Sequence, residues 1–485
     1  MLEKAAQTKD RAREYCFWAF LLVTGVFFCF FAGEGGYILW PDSKGYIDAS
    51  YEREPFYPLV IMLCRKLLGN EKGLYGVVIL QGFAALISGI VLTLRIRRSF
   101  HMNRIEAGIA FLLLLFPYEL DTMWSSPRQS YTHIIMSDTF SYAMFYLFIT
   151  VLIGYLQRKR LSDYVWMLVI ASFMTWNRSQ MELCYVVIFI AVLISGCCVK
   201  NKRLRMNIKQ VVIKTAVMVV AAVFTIALTY CYSFFMWGEF ARSSENDFTT
   251  LTNLLYASDA EDEALFDDPE TAEAFRELYG RVAEAGLTYH NAPAGFLENG
   301  KYMLNSHDPM KSGIVRVFFR EYVADQGMEE SFQADQIKKE LASEMKMVLL
   351  KEHFWRWIYD GLCMVPRGIM YSVTPVLPAG MENIGYLYTV FIIIGAFALY
   401  GIHIYQTGKM TKDSAPEQER RCLEKWIGCM IAFMGMNIVA VCIVILILYR
   451  YVNYTQGLFY IMLYLLIRNV VRGGRHKQIL STIKE

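Results

Sequence analysis

"PDSKGYIDASYEREPFYP", residues 41–58, follows an apolar segment at 17–33 and leads into another at 73–94. It packs four carboxylates, a lysine, an arginine and four aromatic rings into a single connector. Connectors between hydrophobic segments have no general need of such density, so the flanking segments decide what kind of chain this is. Apolar runs recur near 105–118, 139–156, 162–176, 181–198, 211–235, 383–405, 426–449 and 455–467, and the mean hydropathy is positive. A bilayer-spanning helix needs about 20 mostly apolar residues, and about 17 can suffice. The runs that start at 105, 162 and 455 are short and need their flanks to complete them.

The runs are continuous rather than alternating. In a bilayer only helices and closed barrels satisfy their own backbone groups, so helices are expected. The sequence predicts an all-α polytopic membrane protein with about ten transmembrane helices. Lys4, Lys9, Arg11 and Arg13 precede the first run. Arg95, Arg97, Arg98 and Arg104 follow the second, Arg158, Lys159 and Arg160 the fourth, and Lys200, Lys202, Arg203 and Arg205 the sixth. Basic residues return at 409–425 and in the tail at Arg472, Arg475 and Lys477. Every second loop is basic, which places both termini in the cytoplasm of a multi-pass cell-membrane protein. The first run is read as an uncleaved anchor, being long for a signal peptide.

Three regions follow: an N-terminal bundle (1–237) with its first outer loop at 34–72, an insertion (238–382) and a C-terminal bundle (383–485). Residues 238–350 carry 22 acidic against 10 basic side chains. On this topology the acidic segment is extracytoplasmic, and its charge argues against a nucleic-acid partner. It reads as helical. Asp268, Pro269 and Gly286 bracket one helix with Phe275, Leu278, Tyr279 and Val282 on one face. Asp308–Pro309 and Gly327 bracket a second. A third starts near Glu330 and runs into the interfacial stretch "EHFWRWIYDGLCMVP". The eleven cysteines lie in or beside apolar segments and are expected as small buried hydrophobes rather than a disulfide framework.

Ionisable groups near spans cost about 2.5–3.5 kcal/mol at the bilayer centre and need a reason. At one level, the outer helix ends, stand Asp42, Arg53, Arg128, His133, Asp138, Arg178, His353, Arg356, Arg367 and Arg450. Each has a simple structural explanation. Asp42 and Asp138 suit helix N-caps. Arg178 and Glu182 are spaced to pair on one helix face. Arg450 can extend to the interface, and Arg128 and Arg356 can touch lipid headgroups. Together they fit a site in which arginines hold a phosphate or pyrophosphate. A carboxylate there can take a proton from an attacking hydroxyl. Tyr46, Tyr51, Phe56, Tyr57 and Trp124 suit sugar faces and lipid chains alike.

The segment "DSKGYIDASYEREPFYPLVIML" resembles the first outer loop of the GT-C superfamily of membrane glycosyltransferases. It is similar in particular to bacterial relatives of the polyprenyl-phosphate-mannose–protein mannosyltransferases and of the lipid A aminoarabinose transferase. Asp42, Tyr46, Arg53, Pro55, Tyr57 and Pro58 match that pattern in order. "SDTF" (137–140), "NRSQ" (177–180) and "LYRYVNYTQGLFYIMLY" (448–464) resemble further elements, over roughly the first 200 and last 40 residues. The resemblance implies Asp42 as catalytic base and Arg53, Arg178 and Arg450 as phosphate ligands. Tyr46, Tyr57, Arg128, His133 and Asp138 complete the expected substrate-binding set. The implied reaction moves one sugar from a polyprenyl-phosphate donor to an extracytoplasmic acceptor (envelope glycan, glycolipid or protein) with inversion. Asp42–Ser43 replaces the Asp-Glu pair of many relatives, so no metal ligand is assigned, and a divalent metal stays open. A flippase or transporter of a lipid-linked sugar is the alternative, although no internal repeat or midplane break marks one. A polymerase or ligase of lipid-linked glycans shares the chemistry with a larger donor.

Overall fold

The computed structural model describes all residues except 1, 33–34, 51–52, 120–128, 201–202, 207, 239, 241–244, 330, 375–376, 378–379, 409–414 and 483–485. Helices dominate. The N-terminal part runs α1 (Leu2–Phe30), α2 (Ser43–Ile47), α3 (Phe56–Leu68), α4 (Asn70–Ser99), α5 (Arg104–Leu115), α6 (Asp138–Arg158), α7 (Leu161–Asn177), α8 (Leu183–Gly196) and α9 (Ile208–Trp237). A short antiparallel hairpin, Cys197–Lys200 against Arg203–Met206, lies between α8 and α9. The insertion holds α10 (Glu245–Ala257), α11 (Pro269–Glu284), α12 (Phe296–Asp308), α13 (Arg316–Asp325) and the long α14 (Phe332–Val373). The chain closes with α15 (Glu382–Gly408), α16 (Ala415–Ala440), α17 (Tyr449–Val452) and α18 (Gln456–Thr482).

Each of the ten apolar runs is largely helical among the described residues, but seven segments rather than ten are long and apolar enough to cross a membrane. The three that fall short are those whose apolar runs were short in the sequence. α5 has 12 residues, only about 18 Å at 1.5 Å per residue. α7 has 17, and α18 turns polar from Arg468 onward. α9 and α15 leave Val219, Val220, Phe224, Phe391 and Phe397 exposed, an apolar surface suited to lipid.

Two cores divide the molecule. α4, α6, α7 and α8 pack with α16 and α18 around Phe145, Ile149, Met174, Trp426 and Leu458. The insertion packs around Leu254, Phe275, Phe319 and Met345, and Ile438, Val441 and Ile447 join this second core. α16 therefore bridges both, and the candidate site lies where they meet.

The first insertion helix matches its sequence grammar. The Asp268 carboxylate accepts the Thr271 amide N–H at 2.8 Å, Pro269 opens α11 and Gly286 follows it at φ +69°. Phe275, Leu278, Tyr279 and Val282 are buried. The second does not begin at Asp308–Pro309. The helix is already running from Phe296 and passes at Pro309 into a π-helical turn (Pro309–Val315) before α13. Asp308 makes no cap hydrogen bond there. The third helix starts at Phe332, capped by Ser331, and continues through the interfacial stretch with a break at His353. Among the described cysteines all thiols are free; Cys16 and Cys231 are exposed and the other seven are buried.

Candidate functional site

The first loop is pinned to the segment before α6. Ile38 accepts from the Ile135 N–H and donates to the His133 carbonyl, at 2.9 and 2.8 Å. The Trp40 amide donates to Ser43 Oγ, and the Trp40 indole N–H donates to Gln129, both at 2.8 Å. Tyr46 on α2 meets Ser137 Oγ at 3.0 Å. α2 then presents Asp42 at its N-cap position, but the carboxylate makes no cap hydrogen bond. It turns instead to two guanidiniums. Oδ1 accepts from Arg53 Nη2 at 3.0 Å and Oδ2 from Arg450 Nη2 at 3.1 Å. Gly45 makes room, since a Cβ there would lie 2.8 Å from Arg53 Nε. Arg53 also stands 4.8 Å over the Tyr46 ring.

α7 ends at Asn177, whose side-chain amide donates to the Ser137 carbonyl (2.8 Å) and Ser141 Oγ (2.7 Å). The chain then extends, and Arg178 forms an ion pair with the buried Asp138 at the start of α6. Arg178 therefore pairs across 40 residues of sequence rather than simply along its own helix. Its guanidinium lies 4.5 Å from the Tyr451 ring centre, and that of Arg450 lies 5.1 Å from the same ring. Tyr451 is itself fixed. Its carbonyl accepts from Gln180 and Asn437, both at 2.8 Å. α16 ends in a second π-helical turn, Val441–Ile445, after which extended residues lead to α17 and Arg450. The Tyr142 hydroxyl donates to the Arg450 carbonyl at 2.9 Å and so ties this turn to α6.

These elements enclose a cavity of about 550 Å³. Asp42, Tyr46, Arg53, Arg178 and Arg450 line it, as the sequence led us to expect. Tyr57 and His133 do not. The Tyr57 hydroxyl is buried against Gln81 at 2.5 Å, and Gln81 braces the Thr132 and Ile134 carbonyls at 2.9 and 3.1 Å. His133 is buried behind the same wall, and burial pushes its pKa down. Asp138 stands one layer back, under Arg178. His353, Arg356 and Arg367 do not reach the cavity lining. They bind Asp262 (2.6 Å), Asp360 (2.9 Å) and Glu382 (3.1 Å), and so serve the packing of the insertion and its stem. Arg128, Trp124 and Tyr51 lie outside the described residues.

The sequence reading missed the opposite wall. His307, Asp308, Lys311, Ser312 and Arg316 line the cavity from α12, the π-helical turn after it and the start of α13, with Thr249 from α10. Trp40, Glu54 and Tyr451 were also missed. Gln81 had a visible signal, an amide within an otherwise apolar span.

Burial alone would raise the Asp42 carboxyl, but Arg53 and Arg450 outweigh it and hold the group well below the usual carboxylate range. Burial works against the charges of Arg178 and Arg450 too. Asp138 supports the first, and Tyr451, Asp138 and Asp42 support the second. Arg53, Arg178, Lys311, Arg316 and Arg450 stand against Asp42, Glu54, Asp308 and the underlying Asp138, which leaves one positive charge in excess among the described residues. Such a wall suits an anion with several oxygens, because guanidinium forks match phosphate geometry. Among the described residues no cluster of three or more His, Cys, Asp or Glu side chains is placed to hold a metal ion.

No protein-family model and no curated protein matches the sequence. Among solved structures, ArnT from Cupriavidus metallidurans in the apo state aligns at 12% identity and a TM-score of 0.30, covering 89% of this chain and 78% of that one. The same protein bound to undecaprenyl phosphate aligns at 13% identity and 0.29, covering 86% and 77%. At these scores and identities the likeness assigns neither family nor activity.

Proposed function

We propose that this membrane protein is a glycosyltransferase that moves one sugar from a polyprenyl-phosphate donor to an acceptor hydroxyl on the extracytoplasmic side. The observation that carries the reading is a cationic cavity that borders a smaller one of mixed lining, with Asp308 and Glu382 in its wall, which in turn borders an apolar one. A second cavity of about 330 Å³ shares Asp308, Leu446, Leu448 and Tyr449 with the first. A third, of about 490 Å³, shares Thr374 and Leu377 with the second and is lined by Leu113, Phe116, Ile384, Tyr388 and Tyr460. A molecule with an anionic head and an apolar chain fits that sequence of environments. Most small-molecule sites are largely apolar with a few orienting polar groups; here the polar end is dense and the apolar end is separate.

In this reading Arg53, Arg178 and Arg450 hold the donor phosphate. Asp42 fixes two of these arginines in advance, so little reorganisation is needed as charge builds on the departing phosphate. Trp40, Tyr46 and Tyr451 back these arginines with their ring faces. A direct displacement inverts the anomeric centre, and the acceptor is an envelope glycan, a glycolipid or a protein.

The test uses membranes containing the chain and a polyprenyl-phosphate-sugar radiolabelled in the sugar. Transfer predicts that the label leaves the lipid-phosphate fraction and enters a new covalent product. A flippase predicts that the label stays on the lipid and only changes leaflet, which would overturn the proposal.

A further inference from the structure

This inference rests on the transferase reading above. The acceptor hydroxyl must lose its proton, and the side chain that takes it must reach into the cavity with an oxygen to spare. Asp42 is poorly suited, since the two guanidiniums on its oxygens hold it in the ionised form and oppose its taking a proton. Asp138 is buried under Arg178. Glu54, on the wall beside Arg53, is already partnered.

Among the described residues one other carboxylate lines the cavity, and it comes from the insertion. We propose that Asp308 is the general base of the transfer and that His307 positions it. The Asp308 side chain is 73% exposed, and its ionic contact is His307 Nδ1 at 3.4 Å. That separation is longer than a good hydrogen bond, so the carboxylate keeps acceptor capacity. His307 is 4% exposed and sits in the same wall. The backbone gives a second, independent reason. α12 passes into a π-helical turn directly after Asp308, and His307, Asp308, Lys311, Ser312 and Arg316 all line the cavity around it. Such turns carry an energetic cost and concentrate at functional sites.

The step balances. An Asp308 oxygen takes the acceptor O–H proton as the acceptor oxygen bonds to the anomeric carbon. The bond from that carbon to the phosphate oxygen breaks, and its electron pair leaves with the polyprenyl phosphate. Arg53, Arg178 and Arg450 meet the added negative charge, and the proton on the exposed Asp308 passes to water.

The experiment compares full-length wild type, Asp308→Asn, Asp308→Glu and Asp42→Asn in lipid nanodiscs. Two quantities are read: the rate of sugar loss from a polyprenyl-phosphate-sugar and the Kd for polyprenyl phosphate. Asp308→Asn is expected to slow transfer by ~10²–10⁴-fold with Kd unchanged, the signature of a group that acts only in the chemical step. Asp308→Glu is expected to keep a measurable rate. Wild-type transfer by Asp308→Asn overturns the assignment. So does loss of Kd and rate together, which marks a structural role. Loss of transfer with intact Kd in Asp42→Asn alone returns the role of base to Asp42. If wild type moves no sugar at all, the transferase reading itself falls.

Discussion

Asp42 and Arg450 stand 408 residues apart in the chain and meet at 3.1 Å, while the other oxygen of Asp42 holds Arg53 at 3.0 Å. This one carboxylate joins the first loop to the turn before the last helix. Its removal leaves two largely buried guanidiniums facing each other. Asp42→Ala is expected to destabilise the protein by on the order of 2 kcal/mol, less than a fully buried pair would lose because Asp42 is partly exposed. A double-mutant cycle with Arg450→Met, read by thermal unfolding in detergent, should give a coupling of at least about 0.5 kcal/mol. Additive effects would contradict the bridge.

The same bridge sets a pH dependence. The folded pKa of Asp42 lies below its unfolded value of about 3.9, so the ionised form stabilises the fold. That contribution is fully present above the unfolded value and is lost as pH falls toward the folded one. The Tm difference between wild type and Asp42→Asn should be level above about pH 5 and shrink below about pH 4. A difference that grows in acid would reverse the sign and refute the pairing.

Arg178 lies over Tyr451 while paired with Asp138, a geometry that a planar fork satisfies and a point charge does not. Arg178→Lys is therefore expected to weaken polyprenyl phosphate binding by about tenfold, roughly 1.4 kcal/mol. Equilibrium binding in nanodiscs checks it. An unchanged Kd would remove Arg178 from the phosphate site.

Gly300 on α12 packs against the backbone of α14, where an added Cβ would lie 2.3 Å from the Cys363 carbonyl oxygen. The obstacle is backbone and cannot swing aside. Gly300→Ala is expected to cost about 1–3 kcal/mol. It should also slow transfer, because α12 carries Asp308 to the cavity. A variant with wild-type Tm and rate would show that the insertion does not hold that wall in place.

The sequence made half of the cavity legible. Asp42, Arg53, Arg178 and Arg450 stand out as charges beside apolar runs, and their convergence follows from placing loops at one end of a bundle. His353, Arg356 and Arg367 carry the same signal, yet they turn to Asp262, Asp360 and Glu382 in the insertion and its stem. Nothing in linear spacing separates the two groups. The insertion's wall was hidden for another reason. Asp308–Pro309 matches the grammar of a helix start, whereas the true start at Phe296 follows a glycine and has no side-chain cap hydrogen bond. The π-helical turn that presents Lys311 and leads to Arg316 packs against α10 and α11 within the insertion, contacts that local spacing does not encode.

The most direct test of the account is mass spectrometry of envelope glycans and glycolipids from a strain lacking the gene, complemented with wild type or with Arg450→Met. The account predicts that deletion removes one sugar-unit mass, that wild type restores it, and that Arg450→Met at equal expression does not. An unchanged glycan profile in the deletion strain would contradict it.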